Sequence, residues 1–222
     1  MFDRKNESQQ VLNLNEKIEF TLLDARATCS DLEKMCDVAY KNQYGGVCVN
    51  SGNVEYVSGY VKKNFDGVLK IVSTVGFPLG ATSVDVKIAE AKKALQDGAD
   101  EIDVVINIGK AKNGDFDYVK NELAKLKKTA KRHVVKAIIE TCFFDENEIV
   151  KLCKVCIKSK VDFVKTSTGF GMGGANFETV SLMRKVLAGK CKIKAAGGIR
   201  TREDAIQFVN LGADRIGASR IL

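Results

Sequence analysis

Short, largely β-branched runs recur along the chain at Ile18–Leu23, Gly46–Asn50, Val68–Val75, Glu101–Asn107, Val134–Thr141, Val161–Ser167, Lys192–Ala196 and Arg215–Ala218. Each has the length of a buried strand. Between most of them apolar residues return at helical spacing, as in Ser83–Gln96, Phe116–Lys131, Glu146–Ile157 and Arg202–Asn210. Thr82 with Asp85, and Thr201 with Asp204, have the spacing of capping boxes that start helices. Gly98 and Gly212 each follow an apolar helical pattern and read as stops. Gly-Ala-Asp recurs at Gly98–Asp100 and Gly212–Asp214, each time just before a strand, as a helix-to-strand turn. Strand-to-strand intervals of about 20–35 residues suit successive βα units. Eight strands in 222 residues predict an α/β chain with one domain, 1–222, folded as a compact (β/α)8 TIM barrel rather than a doubly wound sheet. The last strand ends four residues before Leu222, so the usual eighth helix is expected to be truncated or missing. A short N-terminal helix at Val11–Leu14 is expected to cover the barrel bottom or flank.

Composition narrows the class. The chain is 45% hydrophobic with 7% aromatic residues and no Trp, which favours a core of Val, Ile, Leu and Ala. Only one proline, Pro78, occurs, and no Ser/Gly-rich linker divides the chain. No apolar run approaches the ~18 residues of a membrane helix. Met1–Gln10 has mixed charge and no apolar stretch, unlike a secretory signal, so the expected location is cytoplasmic. The net charge of +7 favours an anionic partner: nucleic acid, acidic membrane or a phosphorylated metabolite. The densest basic stretch, Lys120–Arg132, reads first as the solvated face of an amphipathic helix. Seven cysteines, an odd count without a signal, argue against a disulfide framework. Cys153 and Cys156 lie at helical spacing with Ile149, Leu152 and Ile157 and read as buried side chains. A single histidine, His133, cannot build a His-rich metal site and leaves little room for a Ser-His-Asp triad.

The strands contain residues that a plain core would not. Period-two alternation puts Phe163 and Lys165 on one face, Lys194 with Lys192 and Ala196, and Asp103 with Val105 and Asn107. The run Val135–Glu140 adds Lys136 and Glu140. Such residues are either strand-end side chains reaching solvent, a buried ion pair, or an active site at the C-terminal ends of the strands. Two lysines near the ends of neighbouring strands, with an acid, favour the third reading, because burying like charges together is expensive. A lysine whose charge is disfavoured becomes a nucleophilic amine, and the constellation points to Schiff-base chemistry on a carbonyl. Glycine-rich segments follow at Gly169–Gly174, Gly197-Gly198-Ile199-Arg200 and Gly217-Ala218-Ser219. Bare backbone N–H groups there can approach a phosphate, and Arg200 can add a charge-assisted bond.

Phe163-Val164-Lys165-Thr166-Ser167-Thr168-Gly169-Phe170, Lys194-Ala195-Ala196-Gly197-Gly198-Ile199-Arg200 and Gly98-Ala99-Asp100-Glu101-Ile102-Asp103-Val104-Val105 resemble the deoxyribose-phosphate aldolase family. Val75-Gly76-Phe77-Pro78-Leu79-Gly80 and Ile139-Glu140-Thr141 match the same family, and the resemblance runs from about Ile18 to Ser219. It implies a class I aldolase of deoxyribose phosphate and deoxyribonucleotide catabolism. Such an enzyme reversibly cleaves 2-deoxy-D-ribose 5-phosphate to D-glyceraldehyde 3-phosphate and acetaldehyde, with no cofactor or metal. By motif match, Lys165 forms the Schiff base, Lys194 makes that amine easier to deprotonate, and Asp103 shuttles protons through an ordered water. Thr21 and Cys48 match pocket-lining positions, and Gly169, Gly198, Arg200, Gly217 and Ser219 match the phosphate loops. The implied partner is a small phosphorylated sugar, not nucleic acid or a membrane, and the implied assembly is a homo-oligomer, a dimer or tetramer.

Three positions depart from the family pattern. The first strand reads Glu19-Phe20-Thr21 where the family often has Asp/Glu-His-Thr, so the acid is kept and the histidine is not. The paired serines after the last strand become Ser219-Arg220, which exchanges a phosphate donor for a cation. The C-terminal tail that reaches the active site in some members has no counterpart, so no proton relay through it is expected. Two other readings stay open on the residues. One is a lysine-based barrel aldolase or isomerase acting on a different sugar phosphate, distinguished by whether acetaldehyde is the obligate donor. The other is a silent basic barrel binding nucleic acid through Lys120–Arg132, distinguished by salt-steep affinity that ignores Lys165.

Overall fold

In the computed structural model, which describes residues 14–222, eight parallel strands pair in chain order and close into a barrel between β8 and β1. The strands are β1 (Ile18–Leu22), β2 (Gly46–Val49), β3 (Ile71–Val75), β4 (Glu101–Val105), β5 (Val134–Ile138), β6 (Phe163–Lys165), β7 (Lys192–Ala196) and β8 (Arg215–Ala218). The helices are α1 (Cys29–Lys41), α2 (Val54–Phe65), α3 (Val84–Gln96), α4 (Ile108–Lys112), α5 (Phe116–Ala130), α6 (Glu146–Lys158), α7 (Phe177–Leu187) and α8 (Arg202–Asn210). Among the described residues no helix follows β8. The backbone of Leu222 instead meets the Tyr44 hydroxyl and accepts from Arg202 at 3.1 Å. Of the expected N-terminal helix, Val11–Asn13 lie outside the described residues, and Leu14 is buried in the core.

Alternation builds two layers from each strand. Outward residues such as Val47, Val49, Ile102, Val104, Val135, Ala137, Ile193 and Ala195 join the apolar stripes of the helices in one core cluster. The inward residues are of another kind, with Glu19, Asp103, Lys136, Lys165 and Lys194 among them, all buried. Within Lys120–Arg132 the exposed Lys125 and Lys128 lie on the solvent side of α5, whose other side buries Val119, Leu123 and Leu126. Cys153 and Cys156 are buried on α6, and all seven cysteines are free. None of the helices among the described residues is long and apolar enough to cross a membrane.

Several boundaries differ from the sequence expectation, each for a local reason. The helix α3 is capped at Ser83 rather than Thr82, with no side-chain bond to the cap, so the Thr82–Asp85 box does not form. Thr201 does accept from the Asp204 N–H, while the reciprocal boxes belong to Thr28–Asp31 and Asp145–Glu148. The strand β6 stops at Lys165 because the Thr166 hydroxyl enters the ladder, donating to Ala196 O at 3.0 Å and accepting from Ala196 N at 3.1 Å. The strand β4 stops at Val105, and Asn107 becomes the cap of α4. Gly98 and Gly212 end their helices at φ +108° and +107°, a conformation that favours glycine.

Three aspartates placed just before strands do more than link elements. Asp100 takes the Ile71 N–H on its carboxylate at 2.8 Å and gives its own N–H to Ile71 O. Asp162 does the same with Val135, and Asp214 with Ile193. A two-point clamp thus joins the bottoms of β3 and β4, β5 and β6, and β7 and β8. Outside the barrel, Lys87 of α3 and Glu122 of α5 form a fully buried ion pair at 2.7 Å. Lys87 also donates to Val105 O at 2.7 Å, and Glu122 accepts from Asn107 N at 2.9 Å, so the pair grips the end of β4.

Candidate active site

Strand register decides which inward side chains meet. Lys165 lies opposite Lys194 across β6 and β7, and Asp103 lies opposite Lys136 across β4 and β5. Glu19 lies beside Gly46 and Gly217, which leave it room to extend across the barrel. Asp103 is the hub. Its Oδ2 accepts from Lys165 at 2.8 Å and from Lys194 at 2.7 Å, and its Oδ1 accepts from Lys136 at 3.0 Å. Lys194 also bonds Glu19, and Lys136 pairs with Glu101 at 2.6 Å and Glu19 at 3.3 Å. The ring of Phe163 lies below, with the cations of Lys136, Lys192 and Arg215 within 6.0 Å of its centre.

Electrostatics follow from this crowding. Burial opposes charge on Asp103, but Lys136, Lys165 and Lys194 outweigh it and hold the carboxyl well below the usual carboxylate range. Burial likewise opposes charge on Glu19, and Lys136 and Lys194 overcome it. Lys194 and Lys136 feel the same penalty, yet Asp103 and Glu19 raise both above an ordinary lysine. Burial pushes the Cys48 thiol up. The two site lysines therefore do not face each other bare: a shared carboxylate stands between their amines.

Lys165 opens onto a cavity of about 550 Å3 at the C-terminal end of the barrel. Thr21, an expected pocket-lining residue, lines it, and Gly169, Gly198, Gly217 and Ser219 of the glycine loops also line it, together with Thr168, Phe170 and Ala196. Gly169, Gly197 and Gly198 have φ of +86°, +87° and +79°. A Cβ on Gly174 would sit 2.2 Å from Gly197 O, so the two loops touch through bare backbone. Two expected residues stand apart. Cys48 is fully buried within the barrel, and the exposed Arg200 is not among the residues lining the cavity.

Asp103 and Lys194 occupy the middle of their strands rather than the ends, so the charged layer lies inside the barrel and only Lys165 ends its strand at the cavity. The sequence pattern does not set Glu101 and Arg215 apart. Alternation was the available signal for Glu101, which shares the face of Asp103 two residues on. Chemically, the site offers one amine at a cavity wall, an ionised carboxylate within hydrogen-bond reach and a second, permanent cation behind it. That combination can form an imine with a carbonyl and move protons around it.

Comparison with known proteins gives one consistent picture. A family model described as DeoC/LacD family aldolase matches residues 8–219. A deoxyribose-phosphate aldolase of Finegoldia magna is 49% identical over 209 residues, covering 94% of this chain and 96% of that protein. One from Thermococcus kodakarensis is 50% identical over 205 residues, covering 91% of each. The tetrameric deoxyribose phosphate aldolase of Aeropyrum pernix superposes with a TM-score of 0.86 at 31% identity, covering 98% of this chain and 94% of that one.

Proposed function

Because the chain belongs to the DeoC/LacD family of aldolases, we propose that it reversibly cleaves 2-deoxy-D-ribose 5-phosphate to D-glyceraldehyde 3-phosphate and acetaldehyde. The observation that carries this reading is Lys165 at the wall of the cavity, sharing the Asp103 carboxylate with Lys194. The neutral amine of Lys165 adds to C1 of the open-chain sugar and, with loss of water, gives an iminium. Removal of the C3 hydroxyl proton then breaks the C2–C3 bond. C3 leaves as the aldehyde of glyceraldehyde 3-phosphate, and the bonding pair becomes an enamine on the lysine. Protonation at C2 and attack of water release acetaldehyde and restore Lys165. Asp103, through an ordered water, is the proton carrier, and Lys194 is the fixed cation that balances it.

The backbone of Gly169, Gly198 and Gly217 with Ser219 receives the phosphate, and Arg200 adds charge at the rim as the sugar enters. Arg220 follows Ser219 as a second exposed cation. The physiological setting is the cytoplasm and the breakdown of deoxyribose phosphates. The single-domain chain works as a homo-oligomer, a reading supported by the tetramer formed by the Aeropyrum pernix protein.

The test is reduction with borohydride in the presence of acetaldehyde, followed by peptide mapping. The adduct is expected on Lys165 and is expected to be lost in Lys165→Met, with turnover down at least about 10⁴-fold. An adduct on any other lysine overturns the assignment.

A further inference from the structure

Glu140 is a buried carboxylate unlike the others. Glu19, Glu101, Asp103 and Glu122 are also buried, and each pairs with a lysine. Among the described residues, no lysine or arginine pairs with Glu140, which is 1% exposed. Its oxygens are occupied by another loop instead. They accept from Thr168 N at 3.2 and 3.3 Å and from the Thr168 hydroxyl, with a long contact from the Cys142 thiol at 3.8 Å. The backbone of Glu140 is left-handed at φ +50° and ψ +65°, a conformation a residue with a side chain adopts at a cost. Two unfavourable features, an unpaired buried acid and a strained turn, thus meet in one residue, and together they bring its carboxylate to Thr168.

Thr168 stands between Lys165 and the glycine loop. Its hydroxyl accepts from Phe170 N at 3.0 Å, so Gly169 is bracketed on both sides. The loop is fitted to the same carboxylate further on, because a Cβ on Gly171 would lie 3.3 Å from Glu140 Oε1 and 3.1 Å from Cys142 Sγ. At its far end Ala175 N donates to Ala196 O and Gly197 O. The end of β5 is itself fixed to the lysine strand, with Ile139 N donating to Lys165 O at 3.0 Å and Thr141 N to Thr166 O at 2.9 Å.

We infer that Glu140 is a positioning residue that sets the Gly169 loop at a fixed distance from Lys165, and so determines preference for a phosphorylated over an unphosphorylated sugar. The inference rests on the aldolase reading and deepens it. It is tested by steady-state kinetics on 2-deoxy-D-ribose 5-phosphate and on unphosphorylated 2-deoxy-D-ribose. Glu140→Gln loses one of the two acceptors used by Thr168. It is expected to raise KM for the phosphorylated sugar about tenfold, with kcat falling less than about threefold. On the unphosphorylated sugar kcat/KM is expected to move by no more than about twofold. Thr168→Val is expected to raise KM for the phosphorylated sugar as Glu140→Gln does, and the double variant to be non-additive. Glu140→Gly makes the left-handed turn without strain and so keeps the fold, but it is expected to show the same rise in KM. Parallel loss of both sugars, or an unchanged ratio between them in both Glu140 variants, overturns the inference. Acetaldehyde trapping on wild-type Lys165 separates the two levels. If the wild type fails to trap, the aldolase reading falls; if it traps and the ratio is unmoved, only the role of Glu140 does.

Discussion

Two places in this molecule bury a lysine against an acid, and they differ in what the lysine can reach. Outside the barrel, burial outweighs the attraction of Glu122 and lowers the pKa of Lys87, the direction usually associated with a nucleophilic amine. Yet Lys87 is fully buried, its amine is held by Glu122 and Val105 O, and Glu122 in turn is held by Asn107 N. Inside the barrel, Lys194 and Lys136 shift the opposite way, because each has more than one carboxylate to answer its burial. Lys165 shares that network but ends its strand at the cavity. What sets the inner amine apart is therefore access and a shared partner, not the direction of a pKa shift. The outer pair is closed and the inner network is open.

The sharpest way to break this contrast is Asp103→Asn. The amide cannot take up and return a proton, so kcat is expected to fall about 10²–10⁴-fold. It also leaves three ammonium groups around a neutral hub, and a loss of about 3–5 kcal/mol in chemical denaturation is expected alongside. Near-normal turnover would make Asp103 purely structural. Lys87→Met should reverse the balance. Stability is expected to fall by about 3–5 kcal/mol, because Glu122 is left buried and unpaired, while kcat per folded molecule stays within about threefold. Lys87→Met/Glu122→Gln removes that stranded charge and is expected to recover part of the loss. A large kcat defect in either variant would show that the outer pair is not closed off from the chemistry.

The smallest effect concerns pH. Asp103 and Glu19 have pKa values below those of free carboxyls, so their contribution is present above about pH 4 and is lost as pH falls through the lowered values. Lys136 and Lys194 are raised, so theirs is complete below about pH 10 and fades only above it. Lys87 is lowered and has the opposite sign, its burden relieved as pH rises past its folded value. The melting temperature is thus expected to be flat between about pH 5 and 9 and to drop on the acid side. Calorimetry should show a shallower acid-side drop in Asp103→Asn. An equal drop in wild type and variant would remove Asp103 as its cause.

The barrel was legible because alternation is a two-state pattern, and Lys165, Lys194, Asp103 and Glu19 each break an apolar face. What the sequence could not convey was depth along the strand. Lys194 is the third of five residues in Lys192–Ala196 and Asp103 the third of seven in Glu101–Asn107, so neither run marks a strand end at its charged residue, and runs such as Val161–Ser167 continue after the ladder has been interrupted by the Thr166 hydroxyl. Thr82 has the right spacing for a cap, but the chain enters α3 one residue later. The strain at Glu140 left no trace, since no glycine or asparagine marks the left-handed position. Cys48 illustrates the reverse: the resemblance makes it a pocket-lining position, and packing buries it fully within the barrel.

The aspartate clamps at the barrel bottom make the fold modular. Each one closes a ring between a strand and the strand just before it, and the three fall on β3–β4, β5–β6 and β7–β8 without a shared residue. Among the described residues the seams between these two-strand modules carry no such ring. A chain divided between β4 and β5 keeps every clamp within one fragment or the other, whereas a division between β5 and β6 places Val135 and Asp162 on separate pieces. Reassembly from fragments, and the tolerance of new termini, should accordingly follow the pairing of strands rather than their number.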